Sequence, residues 1–355
     1  MHAPWLGTRR IAFIPAINSS IDVNPPADFV QQVERRVFYD ADPATRVDRS
    51  LRSYVHAISY GKAALDARVY PMAVAPDADT MGAGIRSLPS NHGYTMACIV
   101  VPSGGPHRTG WAYWHSSPVN GIQHAARVNL QEGLGVWAME VVHMATEFGD
   151  LYNTDPNLGA FDNMAASSGT HPSAHTKLAM QWLDGVTVAT HRGRQSRFNL
   201  WAIALLQPPP PGRVAAVRIP SRVSSNHFLI EARLRVDPYE RPSFASSGIP
   251  SEGVIVYEVA ARHEVYLRTP TALSVGQTYA TGGEEDLEVR VSAALPGGFS
   301  FVIRTPEHPE CPRLREQIQL LRESIESEED PYIRRGMISA LRRAQERARD
   351  LGCDG

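Results

Sequence analysis

The chain has 355 residues, 43% hydrophobic and 20% charged, with a formal net charge of −2. That length exceeds one simple core and predicts two domains plus extras, with a composition ordinary for a globular chain. The near-neutral balance excludes a global charge field for nucleic acid or an anionic membrane, and no run approaches the ~18 apolar residues of a membrane span.

Ile11 to Ile17, interrupted by Pro15, is too short for a signal-peptide core, and no small-residue cleavage site follows it. It predicts the first strand, and a cytoplasmic protein unless a secretion signal has been removed. Asp28 to Phe38 places Phe29, Val30, Val33 and Val37 on one helical face. Asp48 to Tyr60 repeats the pattern with Leu51, Tyr54, Val55 and Ile58, and Gly61 stops it. Leu65 to Tyr70 and Thr95 to Pro102 read as strands, with Cys98 in the second as a small buried hydrophobe. Leu134 to Phe148 is apolar over much of its surface and predicts a buried helix that carries ionisable residues, ended by Gly149. Ser173 to Leu183 predicts another helix.

From Asp184 onward the character changes. Phe198 to Leu206, Val214 to Ile219, Phe228 to Val236, Gly253 to Val259, Leu287 to Ala293 and Phe299 to Arg304 are strand-like runs separated by turns. This is the pattern of a β-sandwich, with prolines 208–211 as a rigid loop. Pro312 to Leu351 carries two apolar seams, from Leu314 to Ile325 and from Ile333 to Ala348, with Pro331 in the first turn of the second helix. It predicts an αα-hairpin, either packed on its own domain or offered as a protein or self-association contact. Cys98, Cys311 and Cys353 are odd in number and widely spaced, which suits neither a disulfide framework nor a zinc finger and favours a reducing compartment.

The stretch with chemistry runs from Gly135 to His143 and on through Glu147-Phe148-Gly149-Asp150-Leu151-Tyr152. In H-E-x-x-H helices, two histidines four apart bind zinc from one face. The glutamate beside the first histidine activates the metal-bound water, and a third ligand follows a glycine turn. Glu140 and His143 occupy the glutamate and second-histidine positions. Gly149 supplies the turn, Asp150 is a candidate third ligand, and Met139 stands where the first histidine belongs.

Other segments agree in order with this one. Ser50 to Tyr54, Ser59 to Lys62, Phe161 to Ala165, Ser173 to Leu178, Gln181 to Asp184 and Ile249 to Tyr257, together with Gly135 to Tyr152, resemble the immune inhibitor A type of secreted metallopeptidase, within the zincins. The resemblance spans roughly residues 10 to 304 and leaves out the hairpin. It implies an α+β chain. Together with the strand and seam patterns above, it gives a zincin-like catalytic-type domain over 1–184, a β-sandwich over 185–305 and a helical hairpin over 306–355.

The departures bear on the metal. A neutral thioether at Met139 suits Cu(I) and is a poor zinc ligand. One extra residue shifts Asp150. Glu140, His143 and Glu147, at i, i+3 and i+7, share one helical face as a further ligand set, and His175, where the family usually has tryptophan, is a candidate ligand or acid–base group. Zinc, another divalent transition metal and no metal all stay open. So does a plain reading: Met139 as core filler, Glu140 and His143 as a structural pair, Asp150 as a turn cap, and His115, His124 and His171 as surface or structural residues.

Three functions follow. One is a repurposed enzyme using Glu140 and His143 in acid–base or metal-assisted chemistry on an amide or small biosynthetic substrate. The second is an inactive pseudopeptidase that binds a peptide or partner. The third is a zinc metallopeptidase with non-standard ligands.

Overall fold

The computed structural model describes residues 3–20, 24–40, 50–76, 79–102, 110–243, 246–261, 264–283 and 285–353. Asp48, one proposed start of the second helix, lies outside them. Among the described residues no helix is long and apolar enough to cross a membrane.

The first half follows from its apolar runs. β1 (Gly7–Asn18) buries its last eight residues. After it come α1 (Phe29–Phe38), α2 (Leu51–Ile58), β2 (Ala63–Val69), β3 (Ala73–Ala75), α3 (Thr80–Arg86) and β4 (Met96–Val101). Next are β5 (Trp111–Val119), β6 (Ile122–Asn129), α4 (Leu134–Thr146), α5 (Asn163–Ala166) and α6 (Ala174–Ala179). The strands form one sheet in the order β2-β1-β4-β6-β5, with β3 also on β1. β2, β1, β4 and β6 run parallel, so helices must carry the chain between them. β5 is the antiparallel edge. It joins β6 through Asn120 and Gly121, both at positive φ, as a tight hairpin turn requires.

The sheet is covered on both faces. Met81 and Ile85 of α3 pack with Ile14 and Ile99 on one side. On the other, Trp137 and Val141 of α4 pack with Phe13 and Val128, and Phe13 stacks on Trp137 at 6.3 Å between centroids. Every α4 residue except Val136 is buried, as its all-round apolar sequence predicts. At Gly135 an added Cβ would lie 2.0 Å from Ser167 O, so the chain after α5 crosses directly over the first turn of α4. Asn163 fixes that crossing: its Nδ2 donates to Gly135 O at 3.1 Å and its Oδ1 accepts from Gly169 N at 2.8 Å.

The second half is built from β7 (Val188–Thr190), β8 (Gln195–Trp201), β9 (Ala216–Pro220), β10 (His227–Arg233), β11 (Gly253–Val259), β12 (Val265–Leu267), β13 (Thr278–Ala280), β14 (Glu288–Leu295) and β15 (Gly298–Arg304). They form two sheets, β12-β11-β10-β9-β7 and β13-β14-β15-β8. Val217, Ile230 and Val256 of the first sheet share a core with Val289, Val291 and Phe301 of the second. The other face of the first sheet, through Leu229, Ile255 and Tyr257, joins the core around α4.

At that junction lies a fully buried ionic cluster. Arg233 bonds Glu231 Oε1 at 3.0 Å and Glu240 Oε1 at 2.6 Å, all three side chains at zero exposure. Its remaining N–H groups reach Phe161 O, His171 O and Glu240 Oε2, so all five guanidinium donors are used. Glu231 Oε2 accepts from Ala174 N and Tyr257 OH. Beside the cluster, buried Lys177 donates to Ile58 O and lies 4.1 Å from the Tyr60 ring centroid. Burial, then the Arg233 charge, lowers the Lys177 pKa to about 7.

The chain ends in α7 (Cys311–Ser327) and α8 (Pro331–Leu351), with Asp330 capping α8. Near the base, Cys311, Leu314, Ala348 and Cys353 form a small buried core. Farther out, Ile333 is 50% exposed, so the second seam is not buried along its length.

The structure corrects several expectations. α6 stops at Ala179, short of Leu183. β3, α3, β5 and β6 had no place in the sequence reading. Cys311 and Cys353 form a disulfide, because the antiparallel hairpin returns the chain end to the start of α7 across 42 residues. Wide spacing along the sequence hid that proximity, and the pairing removes cysteine usage as a reason for a reducing compartment. Cys98 is free and fully buried, as its apolar run predicted.

Two tests follow from this packing. Arg233→Ala, which strands two buried carboxylates, should cost about 3–5 kcal/mol in urea unfolding; a loss under about 1 kcal/mol would mean that the cluster is not what joins the two halves. Cys353→Ser should destabilise the hairpin by up to about 4 kcal/mol, read as an earlier melting transition, and equal transitions with and without reductant would show that the bond does not form.

Candidate functional site

Glu140 and His143 stand one turn apart on α4, 6% and 8% exposed. A carboxyl in this apolar helix is costly to ionise unless it is paired. Glu140 Oε2 is buried and has no hydrogen-bond partner among the described residues. The backbone entering β5 runs close over it: a Cβ added at Gly110 would lie 2.5 Å from Glu140 Cγ and 2.8 Å from Oε1. Only glycine permits that approach. Burial raises the Glu140 pKa to about 7; the His143 charge opposes the shift and the Asp150 carboxylate adds to it.

The end of α4 orients His143. Glu147 adopts the left-handed conformation at φ 59° and donates its N–H to His143 O at 2.8 Å. The turn brings Phe148 O to 2.5 Å from His143 Nδ1 and Asp150 Oδ1 to 2.8 Å from Nε2. With an oxygen acceptor at each ring nitrogen, the doubly protonated ring satisfies both contacts. Burial works against that charge, but the bond to Asp150 outweighs it and the His143 pKa is raised. Burial likewise opposes the Asp150 charge, and the pairing with His143 lowers its pKa. Tyr152, half exposed, hydrogen-bonds Asp150; burial and that carboxylate push its pKa up to about 12.

The structure therefore brings Glu140, His143 and Asp150 together and keeps the other candidates apart. Met139 is 3% exposed, and its sulfur accepts from Ser167 Oγ at 3.1 Å. Glu147 cannot share the helical face of Glu140 and His143, because the helix ends at Thr146 and Glu147 is exposed on the reversing turn. His175 is buried on α6, its ring 6.2 Å from that of Phe148 and its N–H on Tyr257 OH. His171 is structural, bonded to Asp237 Oδ2 at 2.6 Å, while the His115 side chain lies outside the described residues.

These donors do not fit a closed zinc site. His143 and Asp150 converge, but no group of three His, Cys, Asp or Glu side chains suited to a metal occurs among the described residues. The Met139 sulfur is engaged with Ser167, and thioethers are weak zinc ligands. Gly110, Tyr152 and Ser167 were missed from sequence. Of these only Tyr152 had a signal, its place just after Asp150.

No protein-family model matches the chain, and no curated protein sequence matches it.

Glu140 makes stability depend on pH. Its pKa is raised in the folded state, from 4.5 to about 7. The fold therefore binds the extra proton, and this contribution is complete below pH ~4.5 and lost as pH rises through ~7. Glu140→Gln should gain stability over the parent between pH 5 and 8, on the order of 3 kcal/mol. A stability difference that stays constant across that range would show that Glu140 is ionised throughout.

Proposed function

We propose that the chain is a zincin-type scaffold carrying a metal-independent acid–base site, with Glu140 as the proton-transferring group on an amide substrate. The observation that carries this reading is the buried Glu140 carboxyl, with an oxygen that has no partner among the described residues and a pKa of about 7. A group poised there holds and releases a proton at neutral pH. Support for the scaffold comes from the ordered sequence segments and from a parallel sheet with an antiparallel edge, followed by the E-x-x-H helix.

β5 is the sheet edge beside Glu140, and an extended peptide or amide can align on such an edge through backbone hydrogen bonds. In the reaction, the Glu140 carboxylate takes a proton from water as the oxygen attacks the amide carbonyl. The C–O bond forms, the C–N bond breaks, and Glu140 returns the proton to the leaving nitrogen. The His143–Asp150 pair, with Tyr152 donating to the Asp150 carboxylate, sets the local field.

A second reading has its own observation. Both His143 nitrogens and the Met139 sulfur are already occupied by protein partners, as suits a pseudopeptidase that binds a peptide or protein partner without cleaving it.

The test is amide hydrolysis by the full-length protein, with labelled casein and a panel of small amides as substrates and a chelator present throughout. Turnover should survive the chelator, rise through about pH 7, and fall by about 10²-fold or more in Glu140→Gln. Turnover that the chelator abolishes would point instead to a metallopeptidase. Absence of turnover, with retained peptide binding, would favour the pseudopeptidase.

A further inference from the structure

The C-terminal hairpin is tied to the rest of the chain at its base. α7 and α8 pack on each other, and neither packs extensively on another element. At the base, Arg192 pairs with Asp350 at 3.1 Å, and a Cβ added at Gly193 would lie 3.2 Å from Gly352 O.

The seam between the two helices follows a heptad. Cys311, Leu314, Ile318, Leu321 and Ile325 alternate spacings of three and four along α7, and Met337, Leu341, Ala344, Ala348 and Leu351 do the same along α8. These are the a and d positions of a helix pair, so the e and g positions flank the seam on opposite edges. The g edge is closed near the base, where Arg347 pairs with Glu310, the residue before α7, at 3.0 Å. The e edge is open. It forms a groove of about 620 Å³ lined by Arg315, Gln319 and Arg322 of α7 and by Gln345 and Arg349 of α8, with half-buried Ile318 between them. No carboxylate lines it among the described residues.

The arginines of this edge fall in rows. Arg315 and Arg322 are seven residues apart on α7, and Arg335, Arg342 and Arg349 are seven apart on α8. All five are exposed. Arg315 pairs with Glu307, whereas the other four form no ion pair among the described residues. In a chain of net charge −2, this is a local concentration of positive charge beside a seam whose outer residues, Ile318, Leu321, Ile325, Met337 and Leu341, are only half-buried.

The spacing selects among anionic partners. Seven residues of helix advance about 10.5 Å, the distance between carboxylates one heptad apart on another helix. A groove between two helices accepts a third along its length, and the apolar stripe of that helix covers the seam. A phosphate backbone offers charge but no such stripe. A second copy of this chain laid on the same edge would bring arginine rows against arginine rows, which costs free energy.

We propose that the e edge of the hairpin docks an acidic amphipathic helix of a partner protein. Its carboxylates meet the two arginine rows, and its apolar stripe covers the seam between α7 and α8. This surface is separate from the Glu140 site and does not depend on its chemistry.

Fluorescence anisotropy on the full-length protein tests it. One labelled helical peptide carries leucine at a and d and glutamate at e and g; a second carries lysine in place of each glutamate. The glutamate peptide should bind saturably, and more weakly as salt is added. Its binding should weaken by about tenfold in the triple variant Arg322→Gln, Arg342→Gln, Arg349→Gln. Arg343→Gln, exposed and on the opposite flank of α8, should leave it unchanged. The replaced side chains are all exposed, so the melting transition of the variants should match the parent and show that they fold. Absence of saturable binding, equal binding of the lysine peptide, or undiminished binding in the triple variant would overturn the proposal. So would tighter binding of a DNA duplex or of phosphatidylserine vesicles than of the glutamate peptide, or a dimer of the protein alone that the triple variant dissolves.

Discussion

Arg233 is the group on which the arrangement of this chain turns. A guanidinium at zero exposure is tolerated only because two carboxylates and two backbone carbonyls use all its donors. Those partners come from distant parts of the sequence. Glu231 and Glu240 belong to the β-rich half, while Phe161 and His171 belong to the loops on either side of α5. Hydrophobic burial could slide one half over the other, whereas this cluster admits one register.

From Arg233 the order passes towards α4. Phe161, whose carbonyl Arg233 holds, precedes Asp162. Asp162 accepts from Met164 N, Ser173 N and Thr176 Oγ1, which fixes the turn and the start of α6. Asn163 then clasps the first turn of α4 through Gly135 O. The helix carrying Glu140 and His143 is therefore held at its N-terminal end by polar contacts that trace back to the β-rich half, and along its length by apolar packing on the sheet.

Within that frame, the site comes from two departures from ordinary helix chemistry. A carboxyl sits in an apolar helix beneath a glycine backbone, where desolvation keeps its proton until near pH 7. A histidine near the helix end is captured by the reversing turn, its two nitrogens taken by a carbonyl and a carboxylate. Met139 fits this environment, since it fills core space and its sulfur meets Ser167.

Much of the architecture is legible in the sequence, and for a local reason. The 3.6-residue pattern of α1 and α2, the all-round apolar run of α4, the apolar runs of β1 and β4, the turn-separated strands after Asp184 and the proline at the start of α8 are written within a few residues of where they act. β5 and β6 escaped because neither matches a clean alternation, and α3 because it is short and glycine-rich. The site was legible in residue identity at Glu140, His143 and Asp150, but not in geometry. Glu147 was misplaced because one left-handed residue ends the helical face on which that reading depended. The closure of Gly110 over Glu140, the meeting of Cys311 with Cys353 and the burial of Arg233 between two glutamates all join residues far apart in the chain. The sequence by itself determined most of the longer helices and strands and which residue types could carry chemistry. Only the tertiary structure decided which of them meet and in what protonation state, because desolvation and hydrogen bonding depend on distance in space and not on separation along the chain.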